Sequence, residues 1–378
     1  MSKKNTKIAL AALCVLGAAC YLLQFVLGED ITHMNNFVPW GLYIVGFMCF
    51  TGLAAGALLL IGLAWLTDGL AELRPYTRIL LICGVLCGLA GAGAFIFGDL
   101  GNPQRGIYMM LSPNPTSPQV WDAAVLSLYG LTGILLGRQA WLIAQGRRTA
   151  ASMRPLALLA VIAGLLVIVT SFAFALMVAA PSWNEPGEPL SFLFAAAIIA
   201  LAVLSLVLLH LGRVGYAPVP ERSLRCMIRV TAVLLILELL YAISDVCIAL
   251  YAPHGEAAQV VFWQLAGAGA VPYWLEIMLL VVSIWLLVRG KQPRQWQAGA
   301  MTSLLAVLFV KYNLLVAAQL HPLLGYAGPS AYNPPALGLY VPALVEWGTF
   351  LGILAAASLL GIEALERGRA WLWARDEN

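Results

Sequence analysis

Ten stretches of this chain are long and apolar enough to cross a bilayer, and that fixes the fold class before any motif is read. They fall at about 8–28, 38–66, 79–98, 120–144, 155–180, 190–212, 227–251, 271–288, 299–319 and 340–363. Each is close to the length that carries a helix through about 30 Å of hydrocarbon at 1.5 Å per residue. In lipid every backbone N–H and C=O must be satisfied within the protein, so runs of this kind fold as helices. Composition agrees. Hydrophobic residues make up 62 % of the chain and charged residues 10 %, against about 25 % charged in soluble domains. Such a chain cannot cover a water-facing surface. The predicted fold is therefore all-α, a polytopic transmembrane helix bundle of about ten spans. No basic stripe interleaved with aromatics points to nucleic acid, so lipid is the expected surrounding.

The basic residues set the orientation. If loops are assigned alternately to two sides, starting from the N-terminus, nineteen of the 21 Lys and Arg residues fall on the N-terminal side. Arg105 falls on the other side, and Lys311 lies inside a span. The positive-inside rule then places both termini in the cytoplasm, across the inner membrane of a bacterium. The first run, Ile8 to Leu27, follows Met-Ser-Lys-Lys and reads as an uncleaved signal anchor. Loops on the less basic side, at 99–119 and 320–339, are long and rich in Pro, Asn and Ser. Gly52 and Gly56, then Gly84 and Gly88, with Gly91 and Gly93, carry the small-residue spacing that lets helices approach in lipid.

Ionisable groups inside spans are costly and therefore informative. Asp99 ends span three, and Trp121-Asp122 opens span four. Glu238, Tyr241 and Asp245 share one stripe of span seven at i, i+3 and i+7. Glu276, Lys311 and Glu346 follow on the last three spans. An ordinary ion pair of Lys311 with Glu346 or Glu276 would account for those residues singly. The collection as a whole points to function. Together these six residues can be read as a proton path toward the cytoplasm. Seven cysteines without a C-x-x-C pair predict no iron–sulfur cluster in the chain. His33, His210, His254 and His321 do not sit at matching depths, so no haem is expected.

Several of these residues carry a family resemblance. Asn36-Phe-Val-Pro-Trp40-Gly41 followed by Gly52-Leu-Ala-Ala-Gly56 resembles the first core helix of the NrfD/PsrC family, the membrane subunits of polysulfide-reductase-like complexes. Asp99-Leu-Gly-Asn-Pro103-Gln-Arg105 with Ser117-Pro118-Gln-Val-Trp121-Asp122 resembles the loop between two of its core helices. Pro272-Tyr-Trp274-Leu-Glu276, Lys311-Tyr-Asn313 and Tyr340-Val-Pro342-Ala-Leu-Val-Glu346 resemble its later helices. The chain looks like the ten-helix branch. It divides into an extra N-terminal helix and outer loop (1–34), an NrfD-like core (35–363) and a cytoplasmic tail (364–378). Some members place a histidine three residues after the asparagine, near the quinone; here that position is Pro39.

The resemblance implies a quinone-interacting subunit of an anaerobic respiratory complex. Its substrate would be menaquinone or ubiquinone. Its partners would be a four-cluster ferredoxin-like iron–sulfur subunit and a molybdopterin or multihaem catalytic subunit, where terminal catalysis resides. A two-electron, two-proton carrier needs an apolar slot, hydrogen-bond partners for its oxygens and carboxylates for its protons. Asp99, Arg105 and Asp122 fit the chemical role, and Asn36, Trp40 and Trp121 fit the binding role. The competing readings are a proton-coupled transporter and a non-redox anchor.

Overall fold

The computed structural model describes residues 3–34, 38–177, 183–213, 219–251, 256–320 and 340–367. Asn36, His254, His321, the 321–339 loop and tail residues 368–378 lie outside the described residues. Ten helices are long and apolar enough to span a membrane, and no strand occurs among the described residues. This is an integral membrane protein.

The spans are α1 (Lys3–Leu27), α2 (Leu42–Leu66), α3 (Asp68–Asp99), α4 (Pro118–Ala144) and α5 (Ala150–Ala175). They continue with α6 (Glu188–Arg213), α7 (Glu221–Tyr251), α8 (Ala270–Arg289), α9 (Pro293–Leu320) and α10 (Leu344–Arg367). A short helix, Glu256–Ala266, precedes α8. Several spans start earlier than hydropathy predicts. The helices α7 and α9 begin six residues upstream, within the basic flanks. Hydropathy ends where lipid ends, whereas the helical hydrogen-bond ladder continues into water.

Burial orders the bundle. In α2 the apolar window is 89 % buried, against 11 % in α1. The α2 helix is therefore the central post, and α1 is a lipid-facing outer helix. Small residues permit the closest crossings. A methyl group on Gly56 would lie 2.1 Å from the Ala196 carbonyl of α6. One on Gly84 or Gly88 would meet Ala57 or Ala54 of α2, whereas one on Gly93 would meet nothing. Gly17 and Gly352 seat α1 on α10 in the same way.

The two ends of the bundle are tied differently. At the basic end, Lys7 of α1 pairs with Glu363 and Glu366 of α10 at 2.6 Å each. At the opposite end, which we call the loop end, Gln24 of α1 donates to the Gly98 carbonyl at 3.2 Å. Its amide oxygen accepts from Tyr43 at 2.8 Å. The outer helix thus braces the residue next to Asp99.

Two spans depart from regular α geometry. The first part of α3 is a 3-10 segment, Asp68–Tyr76, and it widens to π geometry over Leu81–Leu86. The α5 helix breaks at Leu166 into Arg154–Leu165 and Val167–Ala175. The second piece carries Val167, Thr170, Ala173 and Phe174 into the large cavity described below.

Candidate functional site

A cavity of about 480 Å³ opens at the loop end, between α2, the end of α3, α4, the second piece of α5, α6 and α9. Its walls are mainly apolar and aromatic. Trp40 stacks on Trp183 with centroids 5.9 Å apart, and Phe174 stacks on Phe192 at 5.9 Å. Trp40 is held at both backbone groups by one side chain. Its N–H donates to Gln319 Oε1 at 3.0 Å, and Gln319 Nε2 donates to its carbonyl at 2.9 Å. The Trp183 indole donates to the Leu314 carbonyl at 2.8 Å.

The polar groups gather at the mouth and at one inner wall. Asp99 from the end of α3, Arg105 from the 3-10 turn Pro103–Ile107 and Asp122 from α4 line the mouth. One oxygen of Asp99 and one of Asp122 are buried without a hydrogen-bond partner among the described residues. Buried polar atoms are nearly always bonded, so such orphans mark a place where another molecule belongs. Deeper inside, Lys311 is 2 % exposed, and its Nζ lies 3.7 Å from the centroid of Phe192.

A second cavity of about 80 Å³ lies beside the first at the same end. Five acids, Glu185, Glu188, Glu238, Asp245 and Glu276, line it with Tyr241, among mainly apolar neighbours. Tyr241 hydroxyl bridges Glu185 at 3.1 Å and Glu188 at 3.0 Å. Asn313 Nδ2 donates to Glu276 at 2.6 Å, and Ser191 Oγ donates to Glu238 at 2.6 Å. Glu185 lies outside the spans. Burial, with Asp245 beside it, pushes its carboxyl up to about 8.

The structure brings together much of what the sequence singles out. Asp99, Arg105, Asp122 and Trp40 share the large cavity, and Glu238, Tyr241, Asp245 and Glu276 share the small one. Lys311 lines the large cavity, not the small one. Two residues stand apart from both. The Trp121 indole donates to the Pro115 carbonyl at 2.8 Å, and Trp121 is not among the residues lining the large cavity. On α4 the cavity is lined by Gln119, Asp122, Ala123 and Leu126, one face of the helix that leaves Trp121 to its side. Glu346 is fully buried at the start of α10. It accepts from Tyr340 hydroxyl, from Ala343 N–H at 2.7 Å and from His33 N–H at 3.3 Å. That carboxylate caps its own helix and pins the loop before α2, and it lines neither cavity.

Glu185, Glu188 and Ser191 are site residues that the sequence alone does not mark, and Asn313, noted there only within a motif, joins them. Glu185 and Glu188 flank Pro186-Gly187 and read as loop acids. The available signal was their position at the same end of the bundle as Asp245.

Comparison with known proteins decides the family. A model of the polysulphide reductase NrfD family matches residues 30–322. The chain belongs to the NrfD family. Its relatives include a candidate membrane subunit of a dimethyl sulfoxide reductase in Halobacterium salinarum, 27 % identical over 94 % of this chain and 89 % of the relative. A selenate reductase subunit of Mesobacillus selenatarsenatis is 22 % identical over 95 % of this chain and 92 % of its own length. The Hdr-like menaquinol oxidoreductase integral membrane subunit of Archaeoglobus fulgidus is 24 % identical over 93 % and 90 %. These NrfD-family relatives are named as subunits of reductase or oxidoreductase complexes.

Proposed function

We propose that this NrfD-family chain is the quinone-interacting membrane subunit of a respiratory oxidoreductase complex, with the 480 Å³ cavity as its quinone site. The observation that carries this reading is the pair of orphaned carboxylate oxygens, on Asp99 and Asp122, at the mouth of an aromatic slot. The slot takes a flat ring between apolar walls. Arg105 supplies a donor, and the two acids exchange protons with one ring oxygen. The cavity lies at the loop end, and the basic-residue distribution assigns that end to the extracytoplasmic side. Electrons pass there to an iron–sulfur partner subunit docked on the loop face, and from it to a catalytic subunit that carries the terminal chemistry. The protein sits in the cytoplasmic membrane with both termini inside.

The test is quinol-dependent turnover of the purified complex. Asp99→Asn and Arg105→Ala each lower it about 10- to 100-fold, the scale of one charge-assisted hydrogen bond, while the complex still assembles. Wild-type turnover in both variants would refute the site.

A further inference from the structure

Lys311 stands between the two cavities. It lines the large one, and its Nζ donates to Ser191 Oγ at 3.3 Å. Ser191 lines the small cavity and donates in turn to Glu238 Oε1 at 2.6 Å. All three side chains are buried, with exposures of 2 % each. The N–H and O–H groups of the chain therefore point in a single direction, from the quinone slot to the acid cluster. The second oxygen of Glu238 is buried without a partner among the described residues and belongs to the cluster that walls the small cavity. A volume of about 80 Å³ holds several waters. Beyond it, Glu188, Tyr241 and Glu185 are hydrogen-bonded in series, and Glu185 precedes α6 at the loop end.

Along α7 there is less in the opposite direction, although Ser283 of α8 donates to Thr302 of α9 at 2.8 Å nearer the basic end. Below Glu238 the next residues of α7 toward the basic end that face the interior are Leu235, Ala232 and Ile228, all buried and apolar. Thr231 on that face is already committed to the Met227 carbonyl at 2.8 Å. The hydrogen-bonded chain runs outward to the loop end.

We propose that Lys311, Ser191 and Glu238 form a proton relay that serves the inner oxygen of the bound quinone and delivers to the loop face through the acid cluster. This rests on the quinone reading above and deepens it, because each ring oxygen then has its own exit. The outer oxygen exchanges with Asp99 and Asp122 at the mouth, and the inner one with Lys311. In the oxidising direction the hydroxyl of a quinol gives its proton to the Lys311 amine. The ammonium passes a proton to Ser191 as Ser191 passes its own to the Glu238 carboxylate. One proton has then moved from quinol to Glu238, and Ser191 is regenerated. The two electrons leave for the iron–sulfur partner. Both protons emerge on one side, so the relay makes no transmembrane pump.

The experiment uses the purified complex, a water-soluble naphthoquinol as donor and a non-reducible quinone analogue as binding probe. Lys311→Ala is expected to lower quinol oxidation at least about tenfold while the analogue still binds, and added ethylamine is expected to restore the rate. Ser191→Ala, which leaves the cavity wall intact, is expected to lower kcat at unchanged KM and to increase the solvent isotope effect. Adding Ser191→Ala to Lys311→Ala is expected to abolish the amine rescue. Wild-type rates in both single variants would overturn the relay. So would a Lys311→Ala defect that amine cannot rescue and that includes lost analogue binding, since Lys311 would then serve binding alone. If Lys311→Ala does not assemble, Ser191→Ala decides by the same kinetic criteria. Failure of the analogue to bind the wild-type complex would overturn the quinone reading instead.

Discussion

The two cavities share one end of one bundle and differ in almost every physical respect. The large one measures about 480 Å³ and the small one about 80 Å³. Aromatic rings wall the first, and its acids at the mouth carry orphaned oxygens. Acids crowd the second, where Glu185, Glu188, Glu238 and Glu276 are each hydrogen-bonded through Tyr241, Ser191 or Asn313, although Glu188 and Glu238 also keep one orphaned oxygen each among the described residues. A space that fits a ring and leaves charge-ready groups at its mouth suits a molecule that comes and goes. A space for several waters, lined by hydrogen-bonded acids, suits protons. Buried carboxylates are expensive in lipid, so neither set is explained by anchoring alone.

The contrast can be broken most forcefully at the large cavity. The double variant Asp99→Asn/Asp122→Asn removes both mouth acids and is expected to cut quinol-dependent turnover by about 100-fold or more, measured on the assembled complex. An equal loss from altering the small cavity's anchors would erase the distinction. Asn313→Leu tests that side. It leaves Glu276 without its 2.6 Å partner and is expected to cost about 1–3 kcal/mol of stability, read as a lower Tm in detergent with analogue binding unchanged. Gln319→Ala releases both backbone bonds that fix Trp40. A several-fold rise in KM at nearly constant kcat is the expected outcome, because a loosened ring wall weakens binding more than chemistry.

Smaller effects are expected at Glu185 and Trp121. The Glu185 carboxyl is raised from 4.5 to about 8 in the folded protein. A raised acid favours the folded state most fully below its unfolded value, and this contribution is lost as pH rises through about 8. A Tm series from pH 6 to pH 9 is expected to fall for the wild type and to flatten for Glu185→Gln. Trp121→Phe is expected to leave turnover within about twofold, because the Trp121 indole bonds Pro115 and faces away from the slot.

The architecture is legible in the sequence because lipid imposes a length rule: ten runs of sufficient length gave ten spans. Their starts were less legible, since α7 and α9 continue as helices through basic residues that hydropathy excludes. The stripe Glu238, Tyr241 and Asp245 follows from helical periodicity, and all three line the small cavity. Periodicity within one helix says nothing about partners on another. Lys311 therefore read as the mate of Glu346 or Glu276, whereas its bond is to Ser191. Glu346 shows the same limit. An acid three residues after Ala343 caps a helix start, and its bond to the Ala343 N–H has that form. Gly164 is the one sequence sign of the break of α5 at Leu166, after which Thr170 and Phe174 line the slot.

The central claim is where the ring sits. Photolabelling of the assembled complex with an azidoquinone, followed by mass-spectrometric mapping, addresses it directly. Adducts are expected on the walls of the large cavity, at Trp40, Met48, Met109 or Phe174, suppressed by excess quinone. Competed adducts confined to the separate apolar groove at Phe309, Tyr312 and Trp347, with none on those walls, would contradict it.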